Sequence, residues 1–209
     1  MTTAAAPRPA TAPAPPLTSD DLLRMGDAGK GYELVRGKLK ELNVRTESSR
    51  VGGKVFSRLD RHCDDHRAGW AFPPETGFRC FAADPTDPDR VRKPDAAFIS
   101  FATLPRARYK RDGFCETVPD VVAEVVSPND TVREVDNKRL EWLRAGVKEV
   151  WVLNPDTSSI HVYQGAGRLA LLSESDTLTT PILPGFAVAV ADLFRVPDEP
   201  PQAPAAGGE

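Results

Sequence analysis

At 209 residues the chain can build one core of ordinary size, or that core with a small appendage, so a single domain is expected. Its 40% hydrophobic and 27% charged residues describe a globular protein, and a formal net charge of −3 excludes a bulk basic one, leaving any nucleic-acid role to a local patch. No run of about 18 apolar residues is present to span a membrane, and the three cysteines Cys63, Cys80 and Cys115, with no CxxC pair, predict reduced thiols in the cytoplasm rather than a disulfide scaffold.

Residues 1–16 are an Ala/Pro tract with no charged segment ahead of an apolar one, so they read as a disordered tail and not as a secretory signal. One domain is expected over residues 17–196, and residues 197–209 (PDEPPQAPAAGGE) read as a second disordered tail. Within the domain, Thr18-Ser19-Asp20-Asp21-Leu22-Leu23 predicts a short capped helix. Tyr32 to Val35 and Lys38 to Leu42 predict an N-terminal hairpin turning at Arg36-Gly37. Val51, Val55, Leu59 and Cys63 recur at fourfold spacing and predict an amphipathic helix over 48–67, with Arg50, Lys54, Arg58, Arg61 and Arg67 on its outer face. Three strands follow: Trp70 to Phe81 interrupted by Pro73-Pro74, Asp95 to Phe101, and Val121 to Val126. The last two are separated by a basic loop, LPRARYKRDG. A helix over 131–145 is capped by Ser127 with Asp130, or by Asp130 itself, and stopped by Gly146. Val147 to Leu153 and Ile160 to Tyr163 are two further strands, and a final hairpin with LPGFAVAVADLF closes the domain. This order predicts an α/β (α+β) fold, a mixed β-sheet flanked by helices.

Glu124 is the one charge in Val121-Val122-Ala123-Glu124-Val125-Val126, a run that reads as a strand buried on both faces. An unpaired carboxylate there costs several kcal/mol or more, so Glu124 requires a cation, a proton or a water-filled cleft. Asp95 stands after Lys93-Pro94 at the mouth of the preceding strand. Two carboxylates on neighbouring strands offer the oxygen ligands that Mg²⁺ takes, the rest of its shell being water and phosphate. Lys138 shares a helical stripe with Val135 and Trp142, which turns it towards the sheet and makes it the predicted partner of Glu124. Its other reading is a surface ion pair with Glu134. A metal and an ammonium around one water would lower the cost of an attacking hydroxide and of charge building on a phosphoryl group.

Pro94-Asp95 followed by Glu124 in a strand is similar to the signature of the PD-(D/E)xK nuclease superfamily. The segments YELVRGKL, KPDAAFIS, PDVVAEVVSPNDTVREVDNKRLEWLRAGVKEVWVLNPDTSSIHVY and LPGFAVAVADLF more specifically resemble the Uma-type restriction endonuclease family of bacteria, over roughly Leu17 to Arg195. The resemblance implies a restriction-endonuclease-like core and Mg²⁺-dependent hydrolysis of DNA phosphodiesters, with Mn²⁺ as a substitute. It implies metal ligation by Asp95, Glu124 and the carbonyl of Val125. Val126 stands where the superfamily usually has lysine, and the resemblance implies that Lys138 fills that place from the following helix, to orient or deprotonate the attacking water or to neutralise the transition state. Glu33 matches a recurrent acidic position of the family, although by its own setting it reads as a hairpin charge facing solvent. Double-stranded DNA as partner and a homodimer follow by analogy with nucleases that cut both strands.

His62 and His66 have the spacing of a helical zinc pair but lack an evident third ligand, so a solvated helical face is the simpler reading. Arg50, Lys54, Arg58 and Arg61, and the loop residues Arg106, Arg108, Lys110 and Arg111 with Tyr109, are the local patches that an acidic nuclease needs for phosphates. Asp136 and Asn137 read as solvated helix residues. A catalytically silent DNA-binding module of the same fold and a hydrolase of small phosphoesters are the alternative functions.

Overall fold

In a computed structural model of the chain, which describes residues 15–42 and 45–197, local chemistry sets the ends of most elements. The expected tails at 1–16 and 197–209 lie outside the described residues except for residues 15, 16 and 197. Thr18 caps helix α1 (Ser19–Arg24) through a reciprocal box with Asp21. Strands β1 (Tyr32–Val35) and β2 (Lys38–Glu41) form the antiparallel N-terminal hairpin. Arg36 and Gly37 turn it with φ of 51° and 67°, the two left-handed positions of a type I′ turn. Helix α2 (Thr46–His66) buries Val51, Val55, Leu59 and Cys63, the fourfold series that predicted it.

Strand β3 (Gly69–Phe72) is shorter than the 70–81 strand expected from sequence, because Pro73 and Pro74 supply no N–H to continue a ladder. Beyond them Phe78 makes only isolated bridges, to Arg92 and Cys115. Strands β4 (Ala96–Ser100) and β5 (Val121–Val125) precede helix α3 (Val132–Ala145), which leads into β6 (Glu149–Asn154), β7 (Ser159–Gln164) and β8 (Arg168–Leu172). A small antiparallel pair, β9 (Thr177–Thr179) and β10 (Ala187–Ala189), and helix α4 (Val190–Phe194) complete the domain. The cap of α3 differs from both expected versions. Thr131 is the N-cap, in a reciprocal box with Glu134, whereas Asp130 accepts the backbone N–H of Ser127 and closes the turn before the helix. Gly146 stops the helix with φ 105°, as its position after Ala145 predicts.

The six-stranded mixed sheet runs β3-β4-β5-β6-β7-β8. All pairs are antiparallel except β5 and β6, which α3 connects as the crossover a parallel pair requires. Alternation along the strands then assigns each residue a face. Ala96, Phe98, Val121, Ala123, Val125, Trp151 and Leu153 pack with α2 and with Phe186 and Leu193 near the C-terminus. Ala97, Ile99, Val122, Val150 and Val152 pack with Trp142 of α3 and with Phe78 and Phe81. Glu124 alternates in step with Val122, so it emerges on the face that α3 covers.

Candidate active site

Both oxygens of Glu124 are engaged from α3. Trp142 Nε1 donates to Oε1 at 2.7 Å, and Lys138 Nζ donates to Oε2 at 2.8 Å. Trp142 is fully buried and anchors the helix, which fixes Lys138 one turn nearer its start on the same stripe. The alternative surface pair does not form, because Glu134 accepts from Lys40 Nζ at 3.2 Å instead. Val126, two residues after Glu124, is apolar and continues the sheet, donating its N–H to Leu153 O.

Glu33 corrects the expectation of a solvent-facing charge: it is 2% exposed. Leu34 and Val91 exchange two backbone hydrogen bonds of 3.0 and 2.9 Å, and this bridge turns the alternate residue Glu33 inwards. There it accepts from Arg92 Nη1 at 2.7 Å and from the Lys93 N–H at 2.9 Å, and it lies 3.3 Å from Lys138 Nζ. Lys138 thus links the two acids. From Arg92 a ladder of charges continues through Glu141 at 2.6 Å to Arg90, which in turn binds Asp84 and Asp87, each at 2.9 Å. Arg92 and Glu141 were missed in the sequence. In Arg90-Val91-Arg92 an apolar residue between two arginines was the signal that both arginines share a face opposite Val91.

Asp95 lies beside this group at the mouth of β4. Its N–H donates to Ala123 O at 3.1 Å and its Oδ2 accepts the Val125 N–H at 2.7 Å, so the side chain carries the ladder past the point where Pro94 ends it. Its Cβ lies against α2 at Gly52, where an added Cβ would stand 3.0 Å from it. Asp95, Glu124, Val125, Glu33 and Lys138 line one cleft of about 210 Å³. Ser127, also on its wall and 3% exposed, has a buried Oγ with no partner among the described residues; sequence reading treated this serine only as a cap.

The electrostatics of the cleft are uneven. Burial pushes the Glu124 carboxyl up, and Asp95 and Glu33 push it further, against the downward pull of Lys138. Burial also raises Asp95, although Lys138 and the Val125 N–H oppose it. Burial works against the charge of Lys138, but Glu124 and Glu33 outweigh it and hold the ammonium above its ordinary value. Three carboxylates therefore share one ammonium, with Arg92 dividing its charge between Glu33 and Glu141. Among the described residues no group of three or more His, Cys, Asp or Glu side chains forms a metal cage. The carboxylates of Asp95 and Glu124 nevertheless have the hard-oxygen chemistry that Mg²⁺ takes, the rest of its shell being water and phosphate, and a divalent cation would relieve the surplus negative charge.

The other candidates are used differently. Arg50 donates to Phe194 O and Arg195 O, Lys54 donates to Asp192 O, and Arg58 pairs with Asp192, so this part of the basic face of α2 secures the C-terminal helix. Tyr109 is stacked on Trp70 with ring centroids 4.4 Å apart, Arg106 lies over Phe101 and Lys110 pairs with Glu116. His62 and His66 are stacked rings 4.1 Å apart, with the edge of Phe186 against His62, and no third ligand among the described residues makes them a zinc site. The three cysteines are unpaired thiols, and no helix among the described residues is long and apolar enough to cross a membrane.

With this geometry in place, the pattern that defines the Uma2 family, described as "Putative restriction endonuclease", matches residues 19–191. Among solved structures, the chain is similar to a crystal structure of a putative nuclease belonging to DUF820 from Anabaena variabilis. The TM-score is 0.68 at 20% sequence identity, covering 86% of this chain and 98% of that one. At that identity the likeness bears on the fold. No curated protein matches the chain.

Proposed function

We propose that this chain, which belongs to the Uma2 family, is a metal-dependent endonuclease that hydrolyses DNA phosphodiester bonds in the cleft of Glu124. Family and fold support a nuclease in general. The observation that carries the finer reading is the buried contact of Glu124 with Lys138 in a cleft that also holds Asp95. Asp95, Glu124 and the Val125 carbonyl would hold Mg²⁺, with Mn²⁺ as a substitute. When bound, the ion supplies a more acidic water and a Lewis acid for the phosphoryl oxygens.

The protein's own groups have distinct tasks. Lys138, held by Glu124 at 2.8 Å and Glu33 at 3.3 Å, stays protonated. It therefore serves as a fixed positive charge that orients the attacking water and offsets charge on the phosphoryl group, and not as the base. Glu33, itself held by Arg92, positions that ammonium directly. Trp142 orients the Glu124 carboxylate and closes its apolar side to water. A homodimer is part of the proposal, since cutting two strands calls for two sites. Leu169 and Leu171, 57% and 64% exposed on the outer strand β8, offer a surface for it.

One observation favours a second reading, a DNA-binding module that does not cleave: Asp95 Oδ2 and both Glu124 oxygens already have protein partners. Plasmid cleavage with Mg²⁺ or Mn²⁺ separates the two. The nuclease reading expects nicked and linear products from the wild type and none from Glu124→Gln or Lys138→Ala. Equal activity in all three removes these residues from the mechanism, and salt-dependent binding without turnover by the wild type supports the silent module.

A further inference from the structure

A second cavity of about 710 Å³ adjoins the cleft of Glu124, and the Lys40–Glu134 ion pair belongs to the walls of both. Six cationic and three anionic side chains line it, in a chain whose net charge is −3. Each anion has a cationic partner: Glu134 has Lys40, Glu141 has Arg92, which it shares with Glu33, and Asp84 has Arg90, which it shares with Asp87. The cations of this wall that have no ion pair among the described residues are Arg36, Arg133 and Arg144, all exposed.

Two of these arginines stand where local physics disfavours them. Arg36 occupies a left-handed turn position, φ 51°, of a kind usually given to Asn, Asp or Gly. Arg133 lies in the first turn of α3, where the positive end of the helix dipole repels a cation. Both residues nevertheless line the same cavity. On α3 the series Arg133, Asn137, Glu141 and Arg144 follows helical spacing along the cavity wall, on a different stripe from Val135, Lys138 and Trp142.

We propose that this cavity is the track for the sugar-phosphate backbone of duplex DNA leading away from the scissile phosphate, with Arg36, Arg133 and Arg144 as its phosphate contacts. The proposal rests on the nuclease reading and adds the direction of the substrate. DNA enters at the Glu124 cleft, crosses the Lys40–Glu134 pair and runs along the outer stripe of α3. The proposal does not draw on Arg50, Lys54 and Arg58 of α2, which are engaged with the C-terminal helix.

The test is fluorescence anisotropy of the full-length protein with a labelled DNA duplex in EDTA over a series of NaCl concentrations. The proteins compared are the wild type, the triple variant Arg36→Ala/Arg133→Ala/Arg144→Ala, and a control Arg24→Ala/Arg61→Ala/Arg168→Ala whose positions line neither cavity. Each phosphate contact contributes roughly 0.9 to the slope of log affinity against log salt. The groove variant should therefore lose about 2.7 of that slope, and a fourfold rise in salt should weaken the wild type roughly 40-fold more than the variant. The control should keep the wild-type slope, and circular dichroism should show all three folded. An unchanged slope in the groove variant, or an equal loss in the control, overturns the proposal. A loss seen on duplex RNA but not on duplex DNA also overturns it. If the wild type still cleaves plasmid, the groove alone is lost; if the wild type neither binds nor cleaves DNA, the nuclease reading falls with it.

Discussion

Strand β5 and the residue just before it carry two buried acids, Asp120 and Glu124, and the two are built in opposite ways. Asp120 receives the Ser100 N–H at 2.7 Å, the Thr103 hydroxyl at 2.9 Å and Lys148 Nζ at 2.6 Å. Burial raises its carboxyl, but these partners outweigh burial and hold it below the usual value. Glu124 is also fully hydrogen-bonded, yet it shares its one ammonium with Glu33 and stands near Asp95, and its carboxyl is raised. Burial of an acid therefore does not mark a site. The proposed site rests on a shortage of positive charge beside the acid, which a bound cation would fill.

The strongest way to break this contrast is to remove each carboxylate's charge. Glu124→Gln should lower plasmid cleavage by about two to three orders of magnitude, read as initial rates with Mg²⁺, without loss of the folded state. Asp120→Asn should leave the rate per folded molecule intact. The two lysines give the next effect. Lys138, 23% exposed, serves two buried acids, so Lys138→Ala should cost about 3–5 kcal/mol in urea unfolding. Lys148, 59% exposed, should cost less than about 1 kcal/mol on the same change. Equal losses would erase the distinction between the two ends of the strand.

Asp120→Asn should itself destabilise by about 1–3 kcal/mol near neutral pH. Because the folded carboxyl lies below its ordinary value of 3.8, its contribution is present above that pH and fades as pH falls through the folded value. The difference in stability between wild type and variant should shrink in that acidic window, and a constant difference would show that charge is not the cause. The smallest effect is expected at Gly52→Ala. The new methyl would meet Asp95 Cβ at 3.0 Å and shift it by tenths of an ångström. Cleavage should fall by up to about tenfold, while melting temperature changes little because alanine favours the helix.

Much of this was legible in the chain. An isolated charge in VVAEVV and a lysine on the stripe of Val135 and Trp142 were local patterns, and they meet as those patterns imply. So did the hairpin, the helix over 48–67 and the mixed sheet. What was illegible depended on distant partners. Glu33 looks exposed until Val91 pairs with Leu34, and Arg92 belongs to another segment altogether. Arg50, Lys54 and Arg58 resemble a phosphate-binding face until α4 arrives to take their donors. Ser127 reads as a cap because Ser-Pro-Asn-Asp has the right spacing, but Thr131 with Glu134 forms the better box one turn later.

The ammonium of the candidate site arrives on a helix, and that has a consequence for timing. A lysine two positions after Glu124 would join the site as soon as the strand formed. Lys138 joins only when α3 docks through Trp142, and α3 leaves the ribosome after β5. Without α3 in place, Glu124 has neither the Lys138 ammonium nor the Trp142 N–H beside it. Under the proposed function, cutting would depend on the docking of α3 as well as on the strands that carry the acids.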